Sequence, residues 1–125
     1  MQVKGISWLG IATDRYEESL HLFTNVLGLK VAAGHDGQCL LRAGDALVEL
    51  FGNDGRGKTL TNPPVAAFEV DNVEAAKAAL QAGGVELIGD IGRWNGFEWL
   101  YFRSPDGHLF SVKKTPSPGW ETSTV

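Results

Sequence analysis

The first fifty residues alternate between strand-like and helix-like patterns of apolar side chains. Apolar positions three and four residues apart predict a helix, whereas short apolar runs bounded by turn residues predict strands. The predicted helix carries Tyr16, Leu20, Phe23, Val26 and Leu27 at helical spacing. The predicted elements are a strand at 3–13, a helix between Asp14 and Gly28, and strands at 29–33, 38–43 and 46–51, with turns at 34–37 and 44–45.

The same order of elements returns after a polar stretch. Residues 53–64 are rich in Gly, Asn and Pro and are predicted to connect two halves of the chain. The second half comprises a strand at 65–70, a helix between Asp71 and Gly83, and strands at 85–91, 94–103 and 108–114. The remaining residues, 115–125, are predicted to form a loosely held tail.

The two predicted helices share a start signal. Asp14 and Asp71 each follow a strand, and a glutamate stands three residues later in both cases, at Glu17 and Glu74. An acidic N-cap followed by Glu at the third helical position is typical of a capping box. We therefore expect Asp14 and Asp71 to cap the two helices.

The repeat predicts an α+β fold of two βαβββ modules, residues 3–52 and 65–114, within one domain spanning 1–125. Each module can bury one face of its sheet against its own helix, and the other face needs a partner. Two curved mixed sheets that face each other would enclose a cleft.

Composition and charge narrow the class of protein. The chain has 125 residues, 43% of them hydrophobic, and a net charge of −4 at pH 7, which is typical of a globular protein and argues against a nucleic-acid surface. Since no run of 18 apolar residues and no signal-peptide pattern is present, we expect a cytoplasmic protein without a membrane partner. Cys39, the only cysteine, lies in an apolar run and is expected to be a buried, unreactive side chain.

Three segments carry a family resemblance. The residues Ile11-Ala12-Thr13-Asp14 and Val26-Leu27-Gly28-Leu29-Lys30, together with the late strand and turn from Phe102 to Gly107, resemble the vicinal oxygen chelate superfamily. That superfamily includes glyoxalase I, extradiol dioxygenases, fosfomycin-resistance enzymes and bleomycin-resistance proteins. The resemblance implies the glyoxalase-like fold, in which both modules form a curved mixed sheet around a cleft.

The resemblance also implies four metal-ligand positions. In this sequence they fall on Trp8, Glu49, Val65 and Ser111, and only Glu49 has the carboxylate or imidazole that a divalent cation requires. We therefore expect no metal and no cofactor. A shifted metal site using Glu49, Glu69 or His108 is the alternative.

Aromatic side chains are the other candidate chemistry of the predicted cleft. By strand alternation Glu49 shares a face with Leu47 and Phe51, and a pocket of aromatic rings with one carboxylate suits an aromatic or cationic ligand. The candidate ligand-binding residues are Trp8, Leu47, Glu49, Phe51, Val65, Trp94, Trp99, Tyr101 and Ser111.

Some of these residues have a purely structural interpretation. Glu49 could pair with Arg93 or Arg103, and Trp94 and Trp99 could belong to the core instead of the cleft. Trp120 is expected to pack on the outside of the domain or on a second subunit. Four phenylalanines are assigned to the core, namely Phe23, Phe68, Phe102 and Phe110.

The function predicted from these features is metal-free binding of a small organic molecule by a homodimer, as in the bleomycin-resistance branch. The alternative is a lyase, isomerase or dioxygenase of the same superfamily, with an atypical metal site or with Glu49 as a general base. A third interpretation is an interaction module whose cleft is filled by its own side chains.

Overall fold

The computed structural model describes residues 1–52 and 64–121. The predicted connection at 53–64 lies outside the described residues except for Pro64. The helices are α1, Tyr16–His21, and α2, Val73–Ala82, and a π-helical segment follows α1 at Leu22–Val26. The strands are β1, Ile6–Ala12; β2, Lys30–His35; β3, Gln38–Ala43; β4, Ala46–Phe51; β5, Val65–Glu69; β6, Glu86–Trp94; β7, Phe97–Arg103; and β8, Leu109–Lys114.

The chain divides into two compact units. The first unit is Trp8–Val65 with Glu121–Val125, and the second is Met1–Ser7 with Ala66–Trp120. They follow the two predicted modules closely, although the first seven residues belong to the second unit. There, Lys4 donates its backbone N–H to the carbonyl of Glu69, and Glu69 donates back to Gly5. The α+β class with two βαβββ modules is confirmed, and the assignment of both to a single domain stays a prediction.

The strands of the first unit run in the order β2-β3-β4-β1. Antiparallel hairpins join β2 to β3 and β3 to β4, and β1 lies parallel to β4. The β3–β4 turn is the Gly44-Asp45 pair predicted from the sequence, and Gly44 has φ of 62°. The predicted turn at 34–37 is shorter than expected, because β2 continues to His35 and only Asp36 and Gly37 remain between the strands.

The first helix differs from its prediction at both ends. Asp14 is not the N-cap; that position is held by Arg15, which makes no side-chain cap, so the predicted capping box with Glu17 is not formed. After His21 the helix widens into the π-helical segment, which changes the angular spacing of side chains. Val26 and Leu27 are consequently 66% and 58% exposed instead of facing the core.

The strands of the second unit run in the order β5-β8-β7-β6, with β5 parallel to β8. Trp94 belongs to the end of β6 and not to β7 as predicted, because a tight turn at Asn95-Gly96 separates the two strands. Both turn residues have positive φ, 50° and 85°, as a type I′ hairpin turn requires. The Asn-Gly pair is a strong hairpin signal that the strand prediction overlooked.

The second helix begins one residue later than predicted. Asn72, not Asp71, is the N-cap, and its side-chain oxygen accepts a hydrogen bond of 3.0 Å from the backbone N–H of Ala75. Asp71 instead forms an exposed ion pair with Lys4. The predicted stop at Gly83-Gly84 is correct, since Gly83 is the C-cap and Gly84 has φ of 74°.

Each unit buries one sheet face against its helix. In the first unit Cys39, Leu41, Val48 and Leu50 form the buried cluster, packed by side chains of α1 and its continuation that include Tyr16, Leu20 and Phe23. In the second unit the cluster comprises Val70, Val73, Ala76, Leu80, Leu100 and Val112, with Phe102 packed against it. Burial of aliphatic side chains of this size stabilises a fold by about 1.5–3 kcal/mol each.

The four phenylalanines assigned to the core are all half-buried. Phe23 and Phe102 contact the helix-side clusters of their units. Phe110 lies between Phe68 and Phe102, with ring centroids 5.8 Å and 5.9 Å away.

The described part of the tail is held in place, in contrast to the prediction. Thr115 donates its backbone N–H and its hydroxyl to the two carboxylate oxygens of Glu69, both at 2.9 Å. Trp120 packs edge-on against Phe97, with ring centroids 4.7 Å apart. In the first unit Glu121 forms an ion pair with Arg42.

No helix within residues 1–52 and 64–121 is both long enough and apolar enough to span a bilayer.

Candidate functional site

Trp8 and Glu49 form a buried polar pair in the first unit. The indole Nε1 of Trp8 donates a hydrogen bond of 2.9 Å to Oε1 of Glu49. The two side chains are only 3% and 7% exposed. They reach each other because β1 runs parallel to β4, with Gly10 opposite Glu49, and Trp8 lies two residues before Gly10 on the same face. The structure therefore brings together two residues that the family resemblance placed at one site.

Gly10 makes room for the indole of Trp8. A Cβ atom at this position would lie 2.1 Å from the indole ring, far inside van der Waals contact. The ring thus lies flat across the backbone of its own strand. Gly10 was missed as a site residue, although the Trp-x-Gly spacing within a strand was a readable signal.

Gln38 is the second partner of Glu49 and was also missed. Its side-chain amide donates a hydrogen bond to Oε2 of Glu49. Glu49 pairs with Leu40 across the β3–β4 hairpin, so Gln38 is its diagonal neighbour on the same face. The two-residue turn at 44–45 fixes this register, and the contact could have been derived from the hairpin alone.

The other expected residues of the first unit are buried without polar contacts. Leu47 is 2% exposed, Phe51 9% and Val65 1%. Strand alternation places Leu47 and Phe51 on the face of Glu49, as predicted.

Cys39 lies on the opposite, helix-side face of β3. Burial raises the pKa of its thiol, and the negative charge of Glu49 raises it further, while a hydrogen bond with Tyr16 acts in the other direction. A thiol with a raised pKa is a poor nucleophile at neutral pH. This agrees with the expectation of a buried, unreactive cysteine.

The residues at the family's ligand positions do not fit a divalent cation. Trp8 and Val65 have no ligand atom, and the hydroxyl of Ser111 donates to the backbone carbonyl of Val112 at 2.9 Å. Both oxygens of Glu49 accept hydrogen bonds from neutral donors. Within residues 1–52 and 64–121, no three His, Cys, Asp or Glu side chains gather as a metal site would require.

The alternative metal ligands have other contacts. The carboxylate oxygens of Glu69 each accept a hydrogen bond from Thr115. His108 lies at an exposed turn, with Nε2 3.5 Å from a carboxylate oxygen of Asp106.

The arginines considered as partners of Glu49 are engaged within the second unit. Arg93 contacts Glu74 and Glu98, and Arg103 donates to the backbone carbonyl of Gly107. Glu49 itself accepts hydrogen bonds from Trp8 and Gln38.

The aromatic candidates of the second unit share one face of its sheet. Leu100 and Phe102 face α2, so the alternating residues Trp99 and Tyr101 lie on the other face. Tyr101 is opposite Ser111 on β8, and Trp99 is opposite Gly92 on β6. A Cβ at Gly92 would lie 2.4 Å from the Trp99 ring, so this indole also lies flat on a glycine.

Trp94 and Phe97 complete this aromatic face. Their rings stack with centroids 6.0 Å apart and an interplanar angle of 17°. Phe97 is 2% exposed whereas Trp94 is 49% exposed. Trp94 and Trp99, which sequence alone placed equally well in core or cleft, are thus on the sheet face that the helix does not cover.

Lys113 is a buried cation on the same face that sequence reasoning missed. Its ammonium lies 5.2 Å from the ring centroids of both Phe97 and Trp99, and the residue is only 6% exposed. Two rings at this distance attract a cation through their quadrupoles. Lys113 follows Ser111 by two positions and pairs with Trp99, so strand alternation was the available signal. The expectation that Ser111 and Glu49 face one cleft stays a prediction.

Comparison with known proteins identifies the family. Residues 5–112 match the family model of the Glyoxalase/Bleomycin resistance protein/Dioxygenase superfamily. The chain therefore belongs to this superfamily, and the resemblance noted from its sequence is confirmed. A search of curated proteins finds no significant match.

Solved structures agree with this assignment. A variant methylmalonyl-CoA epimerase from Streptomyces coelicolor in complex with 2-nitronate-propionyl-CoA is 20% identical, with a TM-score of 0.75 over 93% of this chain and 100% of that chain. Methylmalonyl-CoA epimerase from Mycobacterium tuberculosis is 21% identical, with a TM-score of 0.70 over 93% of this chain and 90% of that chain.

A third similar structure is the Mn(II)-bound glyoxalase from Novosphingobium aromaticivorans. It is 19% identical, with a TM-score of 0.72 over 99% of this chain and 42% of that chain. At these identities the likeness establishes the glyoxalase-like fold, and chemistry has to be argued from the residues of the site.

Proposed function

We propose that this chain is a metal-free binding protein for a small organic molecule, aromatic or cationic, like the bleomycin-resistance proteins it resembles. The observation that carries the proposal is the aromatic face of β6 and β7, where Trp94, Trp99 and Tyr101 lie on the side away from α2. These three side chains are partly or largely exposed, so their rings have surface to offer to a ligand ring. Stacking of aromatic rings contributes about 0.5–1.5 kcal/mol beyond area burial.

The position of Lys113 favours the aromatic ligand over the cationic one. Its ammonium already occupies the cation site over Phe97 and Trp99. A second positive charge at this face would be repelled, whereas a neutral ring would be attracted by the same ammonium. The two oxygens of Glu49 already accept hydrogen bonds from Trp8 and Gln38, which favours binding without a metal.

Quinoline and N-methylquinolinium test this proposal, because they share a ring system and differ in charge at pH 7. In calorimetric titration we expect quinoline to bind, and to bind more tightly than N-methylquinolinium. Tyr101→Leu should weaken quinoline binding about two- to twelvefold, since one stacking contact is lost.

Phe102→Leu is the matched control, because Phe102 is the next residue on β7 and faces the helix. It should leave quinoline affinity unchanged at temperatures where the variant is folded. Absence of quinoline binding would refute the proposed aromatic site. Equal losses of quinoline affinity in Tyr101→Leu and Phe102→Leu would refute it as well.

Metal content separates binding from the enzymatic alternative. A lyase, isomerase or dioxygenase with an atypical site would carry stoichiometric Zn, Mn, Ni or Fe after purification without chelator. Loss of that metal in Glu49→Gln would replace the binding proposal with the enzymatic one. We expect substoichiometric metal in both proteins, and unchanged quinoline binding after EDTA treatment.

The proposal includes a homodimer in the cytoplasm. Light scattering coupled to gel filtration measures the mass of the assembly in solution, and a mass of twice 13.5 kDa is expected for the homodimer. A monomer mass at micromolar concentration would remove the homodimer from the proposal and leave the aromatic site standing.

A further inference from the structure

Phe97 is enclosed by groups of its own chain. Trp94 stacks beside it, the ammonium of Lys113 lies over its ring, and Trp120 meets it edge-on at an interplanar angle of 79°. Edge-to-face and stacked contacts are the two preferred geometries of aromatic pairs. Trp120 therefore occupies a position where an aromatic ring is well accommodated, on the same sheet face as Trp94 and Trp99.

The segment that carries Trp120 is held firmly at one end. Thr115 makes two hydrogen bonds of 2.9 Å to the carboxylate of Glu69, and hydrogen bonds to a charged acceptor are the stronger kind. Pro116 packs against Gly96, where a Cβ would lie 2.8 Å from the proline ring. The chain is thus anchored directly after β8.

The other end of the segment is held by exposed contacts. The backbone carbonyl of Trp120 accepts a hydrogen bond of 3.2 Å from the side-chain amide of Asn95, and Glu121 forms an ion pair with Arg42. Exposed ion pairs contribute little to stability. Between the two ends, residues 117–119 are exposed, and Gly119 has φ of 103°, a conformation that glycine adopts readily.

We infer that Trp120 is the resident occupant of a ring-binding position on Phe97, and that a planar aromatic ligand takes this position by displacing Trp120. The inference rests on the proposed aromatic binding function and adds a subsite and a competing side chain to it. The anchor at Thr115 keeps the segment attached when the indole leaves, and Gly119, with φ of 103°, provides a backbone position next to Trp120 at which the chain can turn.

Quinoline binding to a Trp120→Ala variant tests the inference. If Trp120 competes with the ligand, its removal lowers the dissociation constant of quinoline about two- to twelvefold, the equivalent of one aromatic contact. Trp120→Phe is the matched control, because it keeps an aromatic edge against Phe97 and should bind quinoline like the unmodified protein. An unchanged or weaker affinity in Trp120→Ala overturns the inference.

Fluorine NMR follows Trp120 in the unmodified sequence, and a variant is needed only to assign its resonance. With 5-fluorotryptophan at all four tryptophans, the Trp120 resonance is assigned by its loss in Trp120→Phe. At saturating quinoline this resonance should move to the position of a solvent-exposed indole while that of Trp8 stays in place. A Trp120 resonance that does not move while quinoline binds overturns the inference and leaves the proposed function intact. Absence of quinoline binding to every variant overturns both.

Discussion

At the residue scale, the polar group of the first unit is a carboxylate held by two neutral donors. Trp8 and Gln38 donate to the two oxygens of Glu49, which is almost fully buried. These donors replace the water that a buried carboxylate has lost, so removing one of them destabilises the fold. The sequence was sufficient to place Trp8 and Glu49 on facing positions. The contact of Gln38 was missed, because it is diagonal across the β3–β4 hairpin and the register of that hairpin was not worked out from its turn.

Trp8→Phe is expected to destabilise the protein by about 1–3 kcal/mol. The ring volume is largely kept, but one oxygen of a buried carboxylate loses its donor. Urea unfolding followed by circular dichroism measures the change. Trp94→Phe, at a 49% exposed position, is the control and should stay within about 0.5 kcal/mol of the unmodified protein. Equal stabilities of the two variants would mean that the indole N–H does not stabilise Glu49.

At the element scale, the strands were easier to predict than the helix termini. The bounds of β3 and β4 agree with the prediction, because both strands end at the Gly44-Asp45 turn. The helix starts were misplaced by one residue. Asp71 and Asn72 fit the capping pattern equally well, whereas the observed N-cap of α1, Arg15, makes no side-chain cap and gave no signal in the sequence. The π-helical segment left no signal in the hydrophobic spacing, which is why Val26 and Leu27 were placed in one regular helix with Tyr16, Leu20 and Phe23.

Asn72→Ala is expected to lower the free energy of unfolding by about 0.5–2 kcal/mol. The side chain satisfies the backbone N–H of Ala75 at the start of α2, and alanine leaves that donor unpaired. Asp71→Ala, one residue earlier, removes only an exposed ion pair with Lys4 and should cost less than about 1 kcal/mol. Chemical denaturation of both variants distinguishes them. A larger loss of unfolding free energy in Asp71→Ala than in Asn72→Ala would show that Asp71 caps α2, as was predicted from the sequence.

At the scale of the whole molecule, the repeat was the decisive sequence feature. Two modules with the same element order predicted the α+β class, and the superfamily match over residues 5–112 agrees with it. The chemistry of the second unit was harder to anticipate. The buried Lys113 and the ordered Trp120 depend on packing between side chains far apart in sequence, which alternation alone does not specify.

The stability of the whole molecule should fall above about pH 9 because of Cys39. Its pKa is raised in the folded state from an ordinary value of 9.0. The folded state therefore binds more protons than the unfolded state above that pH. Stability is lost as pH rises toward the folded pKa, with a slope of at most about 1.4 kcal/mol per pH unit.

Denaturation of the unmodified protein and of Cys39→Ala between pH 8 and pH 10.5 isolates this contribution. Lysines and tyrosines titrate in both proteins, so the difference between the two curves reports the cysteine. The unmodified protein should lose stability faster than the variant as pH rises. Parallel curves would show that the thiol titrates alike in the folded and unfolded chains.

The indole of Trp8 lying across Gly10 links the backbone of β1 to the position of a hydrogen-bond donor. A Cβ at position 10 would overlap the ring as it lies, so an alanine there would force the indole to shift. The donor to Glu49 would shift as well, because Nε1 belongs to the same ring. Adding one methyl group to β1 would therefore alter the environment of a buried carboxylate on the neighbouring strand.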